Sequence, residues 1–284
     1  MADKSFHLSQ PTYMDGVHEI NLSSGRRRDT GEREKSHLRA ALGGLSWHAQ
    51  QVSPHLSAEI GLMLSEIKSS TVATILRTNK LVYEARKRKD HKLIIHAHDE
   101  SDELGLYAWV DAACQNRVNG ESTQGIFIGL APTRLSQGSV EKVSPVAWHA
   151  SRIDRVVRSP GAAEAKALVS GEDYLFHGRY QLGEFLEEST DVYDVDKTAN
   201  MIRGCVISDS RNVYDKLQTS ELSTKGAERR TDIELLCVKS AQRHNNVEIR
   251  WVHSESNALT KGGAKELESF TSWVECGGLS VTRR

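Results

Sequence analysis

Three carboxylates in this sequence occupy positions where an acidic side chain has little structural purpose. Asp111 ends the apolar run 104–111, and Asp209 ends a second apolar run, 205–209. Glu164 lies near the start of the alanine-rich stretch 161–168, which is typical of the beginning of a helix. Two strand ends and one helix can bring three acids together, and this set therefore predicts a binding site for divalent metal.

The chemistry of such a cluster follows from its charge. Carboxylates brought within several ångströms of one another repel unless a cation lies between them. Mg²⁺ prefers hard oxygen ligands, keeps part of its water shell, and is commonly completed by phosphate oxygens of a substrate. Two such ions about 4 Å apart can activate a water molecule and stabilise the leaving oxygen of a phosphodiester. Taken singly, each acid could instead be a solvated strand end or a helix-end charge.

The segments that surround these acids follow one another in a distinctive order. They are Tyr107-Ala-Trp-Val-Asp-Ala-Ala113, Thr123-Gln-Gly-Ile-Phe-Ile-Gly129, Val146-Ala-Trp-His-Ala-Ser151, Arg158-Ser-Pro-Gly-Ala-Ala-Glu-Ala-Lys-Ala-Leu168, Ile207-Ser-Asp-Ser-Arg-Asn-Val-Tyr-Asp-Lys-Leu217, Val247-Glu-Ile-Arg-Trp-Val-His253 and Ala258-Leu-Thr-Lys261. In this order they resemble the ribonuclease H domain of copia-type retrotransposon polyproteins. The resemblance covers roughly residues 91 to 272.

This resemblance implies an α/β fold and an activity. The fold is a ribonuclease H-like mixed five-stranded sheet flanked by helices and preceded by a helical connection segment. The activity is endonucleolytic hydrolysis of the RNA strand of RNA/DNA hybrids, which leaves a 3′-hydroxyl and a 5′-phosphate. Asp111 would bridge two Mg²⁺ ions, which Mn²⁺ can replace, and Glu164 and Asp209 would complete them. His253 would assist product or proton traffic near the metals, or would be a surface histidine on a mobile loop.

The fourth metal ligand departs from the family pattern. Asn257 stands where an aspartate normally precedes Ala-Leu-Thr-Lys, and the segment 253–261 is about three residues shorter than the resemblance leads us to expect. An asparagine can still offer a neutral carbonyl oxygen to a metal. Glu255, two residues earlier, is an alternative ligand. We therefore expect reduced activity rather than none.

Candidate substrate contacts flank the acids, because a hybrid presents 2′-hydroxyls on one strand of a wide, shallow minor groove. The candidates are Ser151, Arg152, Arg158 and Ser159 before the helix that carries Glu164, and Ser210, Arg211 and Asn212 after Asp209. For Ser159 and Ser210, the alternative role is helix capping.

Two basic runs, 26–28 and 86–89, could contact phosphates. Alternatively, they could be solvated charges or charges at the end of a helix.

The amino-terminal part resembles the reverse transcriptase thumb and connection that precede the ribonuclease H domain in the same polyproteins. Segments 38–51, 53–57 and 81–86 carry this match. We expect residues 1–35 to be extended or disordered, 36–90 to be a helical thumb or connection remnant, and 91–284 to form the ribonuclease H-like domain. A reverse transcriptase polymerase domain is a candidate partner. Tyr13-Met-Asp-Gly16 in this chain resembles the Tyr-x-Asp-Asp turn of reverse transcriptases only superficially, because Gly16 replaces the second metal-binding aspartate after Asp15.

Apolar periodicity places these residues on elements. Strands are predicted at 104–112, 123–130, 144–152, 204–208 and 247–253, with Leu106, Ala108 and Val110 on an apolar face and Asp111 on the other face. Helices are predicted at 36–51, 57–89, 210–217, 227–242 and 257–272. A further helix at 162–186 is predicted to be interrupted near Gly171 and Gly178.

Composition bounds the class of protein. At 284 residues, 38% hydrophobic and 26% charged, with a net charge of −1, the chain has material for one large or two modest domains. It lacks an apolar signal core and a run of roughly 20 apolar residues, so we expect no membrane association and a cytoplasmic or nuclear location. The four cysteines are far apart, which disfavours structural zinc.

Two alternatives to the nuclease stay open at this stage. The first is a catalytically weakened or inactive ribonuclease H-fold module that binds nucleic acid or protein, because a fold does not by itself imply an activity. The second is an integrase-like or structure-specific nuclease of the same fold, which the Trp148 strand and the 258–261 segment disfavour.

Overall fold

The computed structural model describes residues 4–22, 29–186, 193–219 and 229–253, together with the backbone of 278–280. The strands are β1 (Phe6–Leu8), β2 (Leu93–Ile95), β3 (Leu104–Ala113), β4 (Thr123–Pro132), β5 (Val140–Lys142), β6 (Ser144–Arg152), β7 (Arg203–Ser208), β8 (Val247–Trp251) and β9 (Gly278–Ser280). The α-helices are α1 (Glu32–Gln51), α2 (Ser57–Glu66), α3 (Val72–Lys87), α4 (Pro160–Leu186), α5 (Val195–Asn200), α6 (Arg211–Gln218) and α7 (Arg229–His244). Short 3₁₀ helices occupy Met14–Gly16, Pro54–Leu56, Ile67–Ser69 and Thr133–Gln137.

A mixed five-stranded sheet forms the centre of the molecule, in the order β6-β4-β3-β7-β8. β3 pairs antiparallel with β4, and β4 pairs antiparallel with β6. β3 and β7 are parallel, as are β7 and β8. Helices flank the sheet and three helices precede it. The predicted α/β fold with a mixed five-stranded sheet is therefore confirmed, and its strands begin and end close to the predicted positions.

The central strand β3 is buried on both of its faces. Leu106, Ala108 and Val110 pack in one core with apolar residues of α4, α6 and α7. Tyr107 and Trp109 pack in a second core on the opposite face. The prediction of a single apolar face was wrong, because elements cover both sides of this strand and a doubly covered strand is apolar throughout.

Helix α4 runs without a break through both glycines that were predicted to interrupt it. Gly171 allows close packing against the sheet, because a Cβ there would lie 2.2 Å from Cγ1 of Val110 on β3. A further glycine of α4, Gly183, allows close packing against α5, where a Cβ would lie 2.8 Å from the carbonyl oxygen of Thr198. Tertiary packing therefore outweighs the weak helix propensity of glycine here.

The helices before the sheet have a core of their own, built from α1, α2 and α3. The predicted helix 57–89 is divided into α2 and α3 at the buried Ser70, whose hydroxyl lies 2.6 Å from that of Thr30. Met14, Val17 and Ile20 are also buried in this core, so this part of the segment predicted to be extended or disordered is packed. The divisions at 35/36 and 90/91 stay predictions.

Hydrogen bonds join the helical segment, α1 to α3, to β6 and to the connection between β3 and β4. The indole of Trp148 on β6 donates to the carbonyl of Ala49 at 2.8 Å, and Arg117 Nη1 donates to the carbonyl of Gly61 at 3.2 Å. The helices thus cover the β6 edge. No helix among the described residues is long and apolar enough to cross a membrane.

Candidate active site

The structure brings Asp111, Glu164 and Asp209 into one cluster. One carboxylate oxygen from each of them lies within 4.8 Å of the other two. Asp111 is buried, with 2% of its surface exposed, and Glu164 and Asp209 are half-buried. The sequence predicted this set, and the fold assembles it from a strand, a helix and a turn.

Strand register explains how the two aspartates meet. Val110 of β3 and Ser208 of β7 are partners in the parallel pair, so the next residue of each strand is an aspartate at the same end of the sheet. Asp111 is still within β3, opposite Gly125 of β4, whereas Asp209 begins the turn into α6. Parallel neighbouring strands have their carboxyl ends at the same end of the sheet, and ligands of open α/β sheets bind at that end.

Glu164 reaches the cluster because α4 lies close across β3. The helix is capped at its start by Ser159, whose Oγ accepts from the Ala162 amide at 3.2 Å and whose carbonyl accepts from the Ala163 amide at 3.1 Å. Glu164 lies one turn further along. The capping alternative for Ser159 is therefore confirmed.

The donor set of the cluster fits a hard divalent cation. Its three side chains offer carboxylate oxygens alone, which suit Mg²⁺ and Mn²⁺ rather than a soft metal. Asp111 Oδ1 also accepts from the Ala112 amide at 2.9 Å, which orients this carboxylate at the strand end. Three anions this close repel one another, and a bound cation would offset that cost.

The turn that carries Asp209 is held at several points. The Ser208 carbonyl accepts from the Val252 amide at 3.0 Å, and Ser208 Oγ accepts from the Ser210 amide at 3.1 Å. The Asp209 carbonyl accepts from the indole of Trp251 at 2.9 Å. The main chain on both sides of the metal-ligand candidate is thereby fixed.

Three predicted substrate contacts follow this turn. Ser210 occupies the N-cap position of α6 and its carbonyl accepts from the Tyr214 amide at 3.0 Å, but its side chain makes no capping hydrogen bond, so the structure does not bear out the capping alternative for this serine. Arg211 and Asn212 are exposed. The Asn212 amide nitrogen would lie 3.4 Å from a Cβ on Gly161, which places the starts of α6 and α4 side by side near the acids.

The other substrate candidates lie on β6 and on the connection from β6 to α4. Arg152 pairs with Glu121 at 2.7 Å, and Ser151 Oγ accepts from Gln124 Nε2 at 3.3 Å. Arg158 is exposed, two residues before α4 begins. Their contacts with a substrate stay predictions.

The remaining site predictions have different outcomes. His253 is exposed and contacts the Trp251 ring edge to face, with ring centroids 6.3 Å apart. Among the described residues, it does not belong to the cluster of candidate metal ligands. Its role stays a prediction. Asn257 and Glu255 lie outside the described residues. His149 packs on Tyr174, with ring centroids 4.5 Å apart, and burial lowers the pKa of its imidazole.

Of the two basic runs, 86–89 makes contacts within the helical segment. Arg86 Nε donates to the Met14 carbonyl at 3.2 Å, and Lys89 pairs with Asp15 at 2.9 Å. The run 26–28 lies outside the described residues. The run 86–89 therefore has a local structural role. Asp15, the aspartate of the segment that superficially resembles a polymerase turn, shares this role.

Two residues near the acids were not predicted as part of the site. Trp251 was assigned only to a strand, and Gln124 was assigned only to β4, where it pairs with Ala112 beside Asp111. An aromatic residue at the end of the strand that neighbours the Asp209 strand was the available signal for Trp251. No local pattern marks Gln124, because its position depends on the register of β3 and β4.

The strand order and the cluster at the ends of β3 and β7 define a ribonuclease H-like fold with an acidic site. No protein-family model matches the chain, and no curated protein matches it either.

Some solved structures are similar to it at low identity. Ribonuclease H1 from the halophilic archaeon Halobacterium salinarum NRC-1 is 16% identical, with a TM-score of 0.34 over 54% of this chain and 89% of that chain. LC11-RNase H1, isolated from compost by a metagenomic approach, is 13% identical, with a TM-score of 0.35 over 54% of this chain and 88% of that one. The foamy viral protease-reverse transcriptase in complex with dsDNA is 11% identical, with a TM-score of 0.37 over 85% of this chain and 41% of that chain.

Proposed function

We propose that this chain is a metal-dependent endoribonuclease that hydrolyses the RNA strand of RNA/DNA hybrids. The observation that carries the proposal is the cluster of Asp111, Glu164 and Asp209, whose ligand oxygens lie within 4.8 Å of one another at one end of the sheet. The order of the motifs in the sequence supports hybrids as the substrate. We extend the proposal to two Mg²⁺ ions, which Mn²⁺ can replace.

The chain's own residues have distinct parts in this chemistry. Asp111, Glu164 and Asp209 would hold the ions, with Asn257 as a weaker fourth ligand. When bound, the metal supplies Lewis acidity that activates water and offsets charge on the leaving oxygen. Asp111 is buried, and the fixed turn keeps Asp209 in place. Arg211 and Asn212, exposed beside the acids, would contact the substrate backbone.

The resemblance to copia-type polyproteins adds a context to this proposal. We infer that the chain acts as part of a retrotransposon-type polyprotein or as a free-standing copy of its ribonuclease H region. A reverse transcriptase polymerase domain would then be its partner. The helical segment, none of whose described residues belongs to the acidic cluster, would be the structural link to that partner.

The test is cleavage of an end-labelled RNA/DNA hybrid with Mg²⁺ or Mn²⁺ by the wild-type chain and two variants. Asp111→Asn removes one charged ligand. Loss of a residue that only supports a metal ligand costs about 10–100-fold in activity, and we expect loss of the ligand itself to lower the cleavage rate by more than that. Asp196→Asn makes the same chemical change at an exposed position on α5 and should cleave like the wild type.

The outcomes separate the alternatives. Cleavage of the hybrid that Asp111→Asn loses and Asp196→Asn keeps would support the nuclease. Binding of the hybrid without cleavage by any of the three proteins would favour the non-catalytic module. Equal cleavage of duplex DNA would favour an integrase-like or structure-specific nuclease.

A further inference from the structure

Trp251, the last residue of β8, contacts the turn that carries Asp209 in two ways. Its indole Nε1 donates to the main-chain carbonyl of Asp209 at 2.9 Å. Its ring lies 5.1 Å from the guanidinium carbon of Arg211. A single side chain therefore connects a metal-ligand candidate with a substrate-contact candidate.

The indole bond completes the restraint of the turn. β7 and β8 place Ser208 opposite Trp251 in a parallel pair, and the Ser208 carbonyl accepts from the Val252 amide. Those bonds fix the chain before Asp209, and α6 fixes the chain after Ser210. The indole reaches the residue between them. Its N–H therefore limits rotation of the peptide unit that follows the Asp209 Cα, from which the side chain projects.

The face of the same ring orients a positive charge. Arg211 lies over Trp251 and also over Tyr214, with 5.8 Å to the second ring, and its Nε pairs with Asp215 at 2.8 Å. Cations are attracted to the faces of aromatic rings, most strongly to tryptophan. Arg211 stays exposed in this arrangement. Its guanidinium is thus held two residues from Asp209 and is accessible to a phosphate.

We propose that Trp251 is a positioning residue that places Asp209 for metal binding through its N–H and places Arg211 for substrate binding through its ring face. The proposal rests on the proposed function. The proposal predicts that the hydrogen bond to Asp209 and the ring contact with Arg211 affect different kinetic constants. Loss of the N–H should weaken metal binding and lower kcat, and loss of the ring should raise KM as well.

A merely structural tryptophan would give a different result, and the chain offers a matched control. Trp148 makes the same kind of bond, from its indole to the Ala49 carbonyl at 2.8 Å, at the opposite edge of the sheet. Trp148→Phe and Trp251→Phe each remove one indole–carbonyl bond. They should lower the urea midpoint of unfolding by similar amounts, so any difference in metal affinity reports position rather than stability.

The experiment measures Mn²⁺ binding to the full chain by electron paramagnetic resonance, with hybrid cleavage in parallel. We expect Trp251→Phe to weaken Mn²⁺ binding roughly tenfold, the lower end of the loss seen for partners of metal ligands. Its kcat should fall while its KM changes little, because phenylalanine keeps an aromatic face. Trp251→Leu should also raise KM. Trp251→His restores a ring N–H and should recover much of the affinity that phenylalanine loses.

Each outcome decides a separate point. If Trp251→Phe and Trp148→Phe bind Mn²⁺ as tightly as the wild type, the positioning role is overturned, whatever the cleavage assay shows. If histidine restores no affinity, the N–H is not the cause. If the wild type binds Mn²⁺ and loses affinity in Trp251→Phe but never cleaves the hybrid, the proposed function fails while the positioning role stands. If the wild type binds no Mn²⁺, both fail.

Discussion

Gly171 of α4 lies directly against Val110 of β3, the residue that precedes Asp111. A Cβ on Gly171 would come within 2.2 Å of Val110 Cγ1, closer than two non-bonded carbon atoms can approach. The helix that carries Glu164 can lie this near the strand only because residue 171 has no side chain. The distance between two of the three acids thus depends on a glycine two turns away from Glu164.

Replacement of this glycine should damage the site more than the fold. We expect Gly171→Ala to destabilise the protein by about 1–2 kcal/mol, since overpacking of about 1–3 kcal/mol exceeds the gain of up to about 1 kcal/mol in helix propensity. Hybrid cleavage should fall more than tenfold at temperatures where the variant is folded, because α4 moves away from β3. Urea unfolding and cleavage assays check both parts.

Gly178→Ala is the matched control on the same helix. Its Cβ would meet Leu106 Cδ1 at 3.5 Å, an ordinary contact. Stability should be unchanged or raised by up to about 1 kcal/mol, with activity intact. Equal losses in both variants would contradict the argument from close approach at Gly171.

Asn257→Asp should raise activity. An aspartate at this position restores the fourth carboxylate that the family resemblance implies, and a charged oxygen holds Mg²⁺ more firmly than a neutral one. We expect a higher rate and a lower Mg²⁺ concentration at half-maximal rate, each by several-fold. Ser256→Asp adds the same charge one position away and should have a smaller effect. An equal gain in Ser256→Asp would mean that net charge, rather than ligation by residue 257, limits the enzyme.

Arg211→Gln should weaken substrate binding and its dependence on salt. If Arg211 neutralises one phosphate, its loss removes about one unit from the slope of log affinity against log salt. KM should rise several-fold at low salt, with a smaller change in kcat. Arg77→Gln, which removes an exposed arginine paired with Glu66 on the helical segment, should leave the slope as it was. Matching slopes for Arg211→Gln and the wild type would exclude the phosphate contact.

Glu172 should make stability depend on pH. Burial raises the pKa of this carboxyl from 4.5 to about 7, although Arg179 opposes the change. The folded state then holds the proton more tightly than the unfolded state, so stability falls as pH rises from about 4.5 to 7 and stays reduced above it.

Glu172→Gln removes this titration. We expect the variant to be more stable than the wild type at pH 8 by on the order of 1–3 kcal/mol and equal to it at pH 4. Glu100→Gln, at an exposed position, is the control. Urea unfolding across this pH range decides it, and parallel stability curves for wild type and Glu172→Gln would contradict the assignment.

Local patterns were sufficient for most of the sheet and for the acids. The strands that end at Asp111 and Asp209 are apolar runs with a polar end, and such runs depend mainly on near neighbours in the chain. The glutamate helix likewise begins with a capping serine followed by alanines. Element type and the identity of the three carboxylates could therefore be predicted from the sequence.

Local patterns misjudged the features that depend on what lies across the fold. Gly171 indicates a helix break in the sequence, but the nearby Val110 explains its presence within a continuous helix. The sequence predicts that the second face of β3 carries the acid and is not apolar. In the structure, this face is covered by a second core that includes Phe127 and Val52. Met14 lies in a segment without helical or strand periodicity, yet it is fully buried in the helical core.

The sequence by itself thus determined which residues are acidic and on which elements they lie. Only the tertiary structure decided that they meet. The Val110–Ser208 register aligns the ends of β3 and β7, and the close approach of α4 at Gly171 brings Glu164 to them. The Trp251 indole then holds the turn from a strand more than 40 residues further along the chain. These contacts join residues far apart in sequence, and their free energies depend on packing and hydrogen-bond geometry that no local window of residues contains.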